Sequence, residues 1–274
     1  QKTAYEISLG LVGSEMCIRD RKRKELKSVS HQLALPGCPC CHPMLGSMGY
    51  YESTKSHKRE ARLGFKRLVS EIYSPPRVNS YLMKNPNKII GPGWSMDITC
   101  DDPHDGMPWD FTKPEKRQRA RWMVRKHKPL FLIGSPVCTA WSTWQKLNKA
   151  KQGEQWHRKR LVQARLHLEF VAELYREQIE GGRFFIHEHP AEASSWEEKV
   201  IKSVMEMPGV DMAKMDQCQY GAKVQYGKHK GSPVKKPTRF MSNAPKVLDR
   251  LKKRCDGGKN GCLLYTSPSP RDRG

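Results

Sequence analysis

Two short apolar runs, separated by one long amphipathic stretch, place the strongest constraint on how this chain can fold. Residues 130–133 (LFLI) and 183–186 (RFFI) each have the length and composition of a buried strand. Between them, apolar side chains recur at three- and four-residue steps, which predicts a helix over 156–180 that ends at Gly181-Gly182. A strand, a helix and a second strand in this order predict an α/β fold with a mainly parallel sheet.

The surrounding sequence continues the alternation of strands and helices. Further strands are predicted at 68–73, 94–99, 212–217 and 238–241, and further helices at 78–83, 114–127 and 196–207. Polar clusters follow three of the predicted strands: SPPR at 74–77, SPVC at 135–138 and HEHP at 187–190. Because ligands of parallel α/β sheets bind beyond the carboxyl ends of the strands, these clusters predict where a functional site lies.

The charge of the chain predicts a polyanionic partner. The 274 residues include 50 Lys and Arg against 28 Asp and Glu, a formal net charge of +22, and nucleic acid is the most common partner of such a protein. No apolar run approaches the roughly 18–20 residues that a membrane-spanning helix needs. Nine cysteines without regular spacing argue against a disulfide scaffold. We therefore expect a nuclear or cytoplasmic protein that does not cross a membrane.

The two ends differ from the rest of the chain. Residues 2–21 and 262–274 resemble conceptual translations of sequencing-library adapters, and neither has an amphipathic pattern. The predicted organisation is an adapter artefact at 1–21, a basic irregular segment at 22–67, one α/β domain at 68–255, and a tail at 256–274 that is mostly artefact. We expect both adapter-like stretches to make few contacts and to contribute nothing to the site.

A cysteine-rich cluster, Cys38-Pro39-Cys40-Cys41-His42, lies in the basic segment. It offers four possible zinc ligands within five residues, but ligands so close in sequence cannot easily complete a tetrahedron, and no second pair of CxxC type follows. The sequence therefore predicts a loop with free thiols and no metal site.

The stretch 134–142 (GSPVCTAWS) carries the most specific signal. A cysteine just beyond a buried strand is well placed as a nucleophile, and the stretch resembles the catalytic loop of cytosine-5 DNA methyltransferases, Gly-x-Pro-Pro-Cys-Gln-x-Phe-Ser. Further matches follow in the same linear order over roughly 68–243. Residues 71–74 (EIYS) resemble Glu-Leu-Phe-Ser, 185–190 resemble a strand ending in Glu-Asn-Val, and Tyr220-Gly221 with 236–240 resemble a later Tyr-Gly and an Arg-rich strand.

This resemblance implies a Rossmann-like, mainly parallel sheet of the S-adenosylmethionine-dependent methyltransferase type. It implies S-adenosylmethionine as cofactor and nucleic acid, DNA rather than RNA, as partner. Cys138 would attack carbon 6 of a cytosine, Glu188 would hold the ring nitrogen and the exocyclic amine, and Arg239 would steady the base carbonyl or a phosphate. The expected cofactor-binding residues are Glu71, Tyr73, Ser74, Pro75, Asp97, Asp110, Phe111 and Pro136.

One cofactor residue also has a basis in spacing. Asp97 follows Arg77 by 20 residues and ends the second predicted strand, where a nucleotide-binding α/β fold places an acid for the ribose hydroxyls. We expect Cys138 and Glu188 to lie just beyond neighbouring strands and to face one cleft, with Asp97 deeper along the same edge and Arg239 on its wall. His187 and His189 are expected to point to opposite faces.

Departures from the family pattern leave two alternatives open. Pro75-Pro76-Arg77 stands where the family has a glycine-rich loop, and Glu188-His189-Pro190 stands where it has Glu-Asn-Val. The first alternative is a non-catalytic nucleic-acid-binding relative with the same fold. The second is a Cys/His hydrolase that uses Cys138 with His187 or His189, which predicts a contact between thiol and imidazole.

Overall fold

The computed structural model describes residues 68–86, 89–142, 153–224, 229–256 and 262–264. The protein is α/β, with a mixed sheet in which most strands are parallel. The chain divides into two compact units, and the boundary falls between Phe131 and Leu132. None of the helices in the described ranges is long and apolar enough to cross a membrane.

The N-terminal unit contains two parallel strands joined by a short helix. Its elements are β1 (Leu68–Ile72), α1 (Val78–Lys84), β2 (Gly91–Met96) and α2 (Pro114–His127). Every residue of β1 is buried. In the ladder Leu68 lies opposite Gly91, and Ile72 lies opposite Met96. The loops that follow β1 and β2 therefore leave the ladder at the same end.

The C-terminal unit is built around four strands in the order β3-β4-β7-β5. Its elements are β3 (Phe131–Gly134), α3 (Glu154–Glu180), β4 (Phe184–Pro190), α4 (Lys199–Met205), β5 (Asp211–Asp216), β6 (Val234–Lys235), β7 (Pro237–Ser242), α5 (Pro245–Arg250) and β8 (Leu263–Leu264). Strand β7 is antiparallel to both of its neighbours, so β4 and β5 run in the same direction. Single 3-10 turns lie at Thr139–Trp141, Ser194–Glu197 and Gln217–Tyr220.

One face of α3 covers the sheet. Leu168, Val171 and Tyr175 recur at three- and four-residue steps and are fully buried. The ring of Tyr175 stacks on Phe185 of β4, with the ring centroids 4.4 Å apart. Burying one such side chain stabilises the fold by about 1.5–3 kcal/mol, so this face fixes α3 against β4.

Most of the predicted elements are confirmed, and two strands differ for identifiable reasons. Strand β2 begins at Gly91 and ends at Met96, earlier than the predicted 94–99. A Cβ on Gly93 would lie 2.8 Å from the Val69 carbonyl oxygen, so this glycine permits close strand pairing before the predicted start of the strand. Strand β4 continues through the HEHP cluster to Pro190, because its polar side chains are buried and bonded within the protein.

The C-terminal tail also differs from expectation. Leu263–Leu264 pairs in parallel with β6, so residues 262–264 contact the domain although they belong to the stretch that resembles an adapter translation. The predictions for 1–21, for the basic segment 22–67 with its cysteine-rich cluster, and for 265–274 lie outside the described residues.

Gly134, the last residue of β3, provides a test of this packing. A Cβ at this position would collide with the hydroxyl and ring of Tyr175, which is fully buried. We expect Gly134→Ala to lower the free energy of unfolding by about 1–3 kcal/mol, as other overpacked cores show. The melting temperature should fall by about 2–4 °C per kcal/mol in a chain of this size.

The matched control is Gly91→Ala, where the nearest atom to a new Cβ is Leu68 Cδ2 at 3.7 Å, an ordinary van der Waals contact. Calorimetric melting of both variants checks the prediction. Equal melting temperatures for the two variants would contradict the packing of Tyr175 against Gly134.

Candidate active site

The loop that carries Cys138 leaves β3 directly after Gly134. Pro136 in this loop is buried, and Cys138 is partly exposed. Cys138 caps the 3-10 turn that follows, because its carbonyl oxygen accepts a hydrogen bond of 3.0 Å from the Trp141 amide. The thiol therefore lies at the start of a turn, at the end of a buried strand.

Two consecutive residues of β4 hold this loop in place. The Ser135 hydroxyl donates to Glu188 Oε2 at 3.2 Å, and His189 Nε2 lies 2.9 Å from the Pro136 carbonyl oxygen. A carbonyl oxygen only accepts, so His189 carries its proton on Nε2. His189 Nδ1 then accepts from the Ser195 hydroxyl at 2.6 Å. The structure thus brings the SPVC loop onto Glu188 and His189, as the strand ends predicted.

Burial keeps both histidines of β4 neutral. Burial lowers the pKa of His189 to about 4, and burial together with the neighbouring His189 lowers the pKa of His187 well below its ordinary value. His187 Nδ1 lies 3.0 Å from the Tyr175 hydroxyl. Both imidazoles are fully buried, so they act as fixed hydrogen-bonding groups at neutral pH.

The expectation that His187 and His189 point to opposite faces is wrong. Their ring centroids lie 4.9 Å apart, and both rings pack nearly perpendicular to the ring of Trp196. Side chains alternate along a strand, so residues two apart share a face. Glu188, between them, points to the other face.

The same alternation separates Arg239 from Glu188. In the β4–β7 ladder, His189 lies opposite Arg239 and Glu188 lies opposite Phe240. Cross-strand partners share a face, so Arg239 lies on the histidine face, with its guanidinium carbon 5.1 Å from the Trp196 ring centroid. The structure therefore does not bring Arg239 to the face of Glu188. Glu188 itself lies within β4 and not just beyond it.

The histidine geometry bears on the hydrolase alternative. Both nitrogens of His189 are already bonded, and His187 is fully buried with Nδ1 on Tyr175. A general base for Cys138 needs an accepting nitrogen within reach of the thiol. The arrangement of these two imidazoles therefore gives no support to a Cys/His hydrolase.

In the N-terminal unit, Glu71 is fully used by the protein itself. Its carboxylate accepts from the backbone amides of Arg77, Val78 and Asn79 at 3.0–3.2 Å. The Ser95 hydroxyl donates to it as well, at 3.1 Å, and the Ser74 hydroxyl lies 3.3 Å from it. Burial raises the pKa of Glu71 above its ordinary value, although the hydrogen bonds from the backbone amides offset part of this rise. Glu71 thus anchors the SPPR loop to α1, which leaves it poorly placed to hold a cofactor.

The other expected cofactor residues of this unit fall into an aromatic pair and two turns. Tyr73, in the left-handed conformation with φ of 58°, packs its ring 4.8 Å from that of Phe111, and both are buried. Asp97 directly follows β2, is buried, and accepts from the amide and hydroxyl of Thr99. Asp110 accepts from Thr112 in the same way. Ser74 donates to the Pro75 carbonyl oxygen at 2.8 Å.

A group of three thiols was missed by the sequence analysis. The sulfur atoms of Cys218, Cys255 and Cys262 all lie within 4.8 Å of one another. Burial is the main cause that raises the pKa of Cys218 to about 12, and the neighbouring thiols of Cys255 and Cys262 contribute to the rise. The cysteines come from three separate segments without CxxC spacing, so only the fold reveals the group.

Comparison with known proteins gives no match: no family model, curated protein or solved structure is similar enough to this chain to identify it.

The neutral His189 predicts an acid-sensitive fold. Its pKa is about 4 in the folded chain and about 6.5 when unfolded, so the unfolded chain binds more protons between these values. The free energy of unfolding should be constant above about pH 6.5 and fall as the pH drops towards 4. The loss is at most about 1.4 kcal/mol per pH unit for each imidazole. His187 acts in the same direction.

Denaturant unfolding measured between pH 4 and 7 checks this prediction. The variant His189→Gln should show a shallower pH dependence, because one titrating group is gone. The exposed His104, replaced in His104→Gln, serves as the control and should leave the slope unchanged. An identical slope in all three proteins would contradict the assignment of His189 as a buried neutral imidazole.

Proposed function

We propose that this chain is an S-adenosylmethionine-dependent methyltransferase that acts on carbon 5 of cytosine in nucleic acid through an adduct on Cys138. The observation that carries the proposal is the anchoring of the SPVC loop on β4. Ser135 donates to the buried Glu188 and His189 donates to the Pro136 carbonyl oxygen, so the loop that carries the partly exposed Cys138 is bonded to the strand that carries Glu188. These are the two residues that the proposed chemistry requires.

The sheet supports the same proposal at the level of fold. An α/β protein with a mostly parallel sheet carries its ligands beyond the carboxyl ends of the strands, where the SPVC loop lies. Within the C-terminal unit, antiparallel β7 lies between β4 and β5, which are parallel to each other.

The residues of the N-terminal unit fit S-adenosylmethionine in part. Asp97, directly beyond β2, stands where an acid for ribose hydroxyls is expected, but Tyr73 and Phe111 pack on each other and are buried, so neither ring offers an exposed face to an adenine. Glu71 does not fit, since its carboxylate binds α1. The cofactor would supply the methyl group.

The chemistry assigned to the chain begins at Cys138. Its thiolate would form a bond to carbon 6 of the cytosine, and the electron pair of the double bond between carbons 5 and 6 would move to carbon 5, which would make that carbon nucleophilic toward the methyl sulfonium that the cofactor supplies. Glu188 holds the ring nitrogen and the amine while the adduct forms. Loss of the proton from carbon 5 restores the double bond and releases the Cys138 thiolate. The target base must leave the stack to reach the thiol.

Helix α2 supports nucleic acid as the partner. The helix carries six cations and one acid, Glu115; Lys116 is buried and paired with Asp102 and Asp105, and the other five cations are Arg117, Arg119, Arg121, Arg125 and Lys126. Trp122 is 45% exposed on this helix, and the charged groups of Arg119 and Lys126 each lie 4.4 Å from its ring centroid. An exposed ring flanked by cations is the combination that stacks on bases and neutralises phosphates.

The adduct itself is the first test. A duplex carrying 5-fluorocytosine should trap the chain covalently when S-adenosylmethionine is present, because fluorine cannot leave as a proton does. Intact-mass measurement should find the adduct on Cys138, and Cys138→Ser should abolish it. The buried Cys100, replaced in Cys100→Ser, is the matched control and should keep it. Glu188→Gln should slow trapping by about 10²-fold or more.

Calorimetric titration with S-adenosylmethionine, together with the adduct test, separates the proposal from its main alternative, the non-catalytic nucleic-acid-binding relative. The proposal fails if Cys138→Ser still forms the adduct. Nucleic-acid binding without an adduct would favour the non-catalytic relative, to which the use of Glu71 by α1 also points.

The second test concerns α2. Trp122→Ala should weaken binding to single-stranded DNA by about 1–3 kcal/mol, the usual value of one base–aromatic stack. Lys126→Ala should instead reduce the salt dependence of binding by about one counterion. Lys202→Ala is the charge-matched control, since Lys202 of α4 pairs with Glu197. Fluorescence anisotropy at several salt concentrations measures all three; equal effects of Lys126→Ala and Lys202→Ala would exclude α2 as the contact surface.

A further inference from the structure

Three cysteine side chains converge in the C-terminal unit, away from Cys138. Cys218 lies in the 3-10 turn after β5, Cys255 follows α5, and Cys262 precedes β8. Their sulfur atoms lie within 4.8 Å of one another, and each side chain is half-buried. Convergence from three separate segments requires the folded chain, so the group is a product of tertiary structure.

From this geometry we propose that Cys218, Cys255 and Cys262 bind one zinc ion as thiolates. With bonds of about 2.3 Å to a tetrahedral centre, the sulfur atoms would lie about 3.8 Å apart, so the observed group needs to contract by at most about 1 Å. Thiolates select zinc over the hard cations. Zn²⁺ with three thiolates carries a net charge of −1, and one position stays open for a fourth ligand. Binding releases one proton from each thiol.

The backbone around the thiols is held by hydrogen bonds. The fully buried Asp216 accepts from the Cys255 amide at 2.8 Å and pairs with Arg254 at 3.1 Å. The Tyr220 hydroxyl donates to the Arg250 carbonyl oxygen and accepts from the Lys253 amide. These bonds join the segment of Cys218 to that of Cys255. Such outer contacts are what orients the ligands of a metal centre.

The charge of the surroundings suits an anionic centre. The segment before Cys255 carries Lys252, Lys253 and Arg254 in succession. In the metal-free chain burial and the neighbouring sulfurs raise the pKa of Cys218, so these cations would act by offsetting the net charge of −1 on the zinc centre. The pairing of β8 with β6 fixes the third segment, because Leu263 lies opposite Val234 directly after Cys262.

Cys262 is replaced on its own in one variant, since it is the first residue of the stretch that resembles an adapter translation. The full chain is purified under reducing conditions and reconstituted with Zn²⁺ or Co²⁺. We expect one bound metal by mass spectrometry, and a sulfur-to-cobalt charge-transfer band whose intensity matches three thiolates. Cys218→Ser, Cys255→Ser and Cys262→Ser should each weaken Zn²⁺ binding at least 10-fold and reduce this band.

The matched control replaces Cys38, Cys40 and Cys41 with Ser and should keep both the metal and the band. Circular dichroism checks that each variant is folded, and zinc protection of the thiols from alkylation identifies the ligands independently. The proposal is overturned if this control loses the metal, if any one of the three single variants binds Zn²⁺ as tightly as the parent chain, or if reduced protein binds none. A disulfide between two of these cysteines in freshly isolated protein would also overturn it.

Discussion

The buried imidazole of His189 is the interaction on which the arrangement of the candidate site depends. It holds the Ser195 hydroxyl with one nitrogen and the Pro136 carbonyl oxygen with the other, so it fixes both the SPVC loop and the turn after β4. Only the neutral ring can donate once and accept once. Because burial lowers its pKa to about 4, the protein keeps that form at neutral pH. Loss of either bond would leave a buried polar group unsatisfied, at a cost of about 1–3 kcal/mol.

Glu71 has the corresponding part in the N-terminal unit. It gathers the first amides of α1 and the hydroxyls of two serines around one carboxylate. A carboxylate at the start of a helix is favoured by the exposed amides there. Both units therefore use a buried polar residue of a central strand to position the loop that follows a strand. The difference is that Glu71 accepts from the loop that follows its own strand, whereas Glu188 accepts from Ser135, in the loop that follows a different strand and carries Cys138.

The sequence predicted the elements better than it predicted the directions of side chains. Periodicity located α3, and helix composition located α2 at its observed bounds, since these signals are local. It also placed the SPVC loop near Glu188, because both follow from the order of strands. It failed where three polar residues continue a strand: the predicted strand stopped before HEHP, yet burial and internal bonds keep this cluster in β4.

Long-range pairing accounts for the remaining errors. The position of Arg239 depends on its register opposite His189, which no local pattern contains. The three thiols are likewise separated in sequence and meet only through the paths of β5, α5 and β8. Glu71 was predicted as a cofactor-binding residue, but its bonds to the amides of Arg77, Val78 and Asn79 depend on where α1 begins, which no local pattern contains.

The way in which the loop is anchored has a consequence for its sequence. His189 contacts the carbonyl oxygen of Pro136, a main-chain atom, and Cys138 caps its turn through its own carbonyl oxygen. Neither bond depends on the side chains of Val137 or Thr139. These two bonds therefore place no requirement on the side chains at these positions. Residue identities in such a loop can differ while these main-chain bonds are kept.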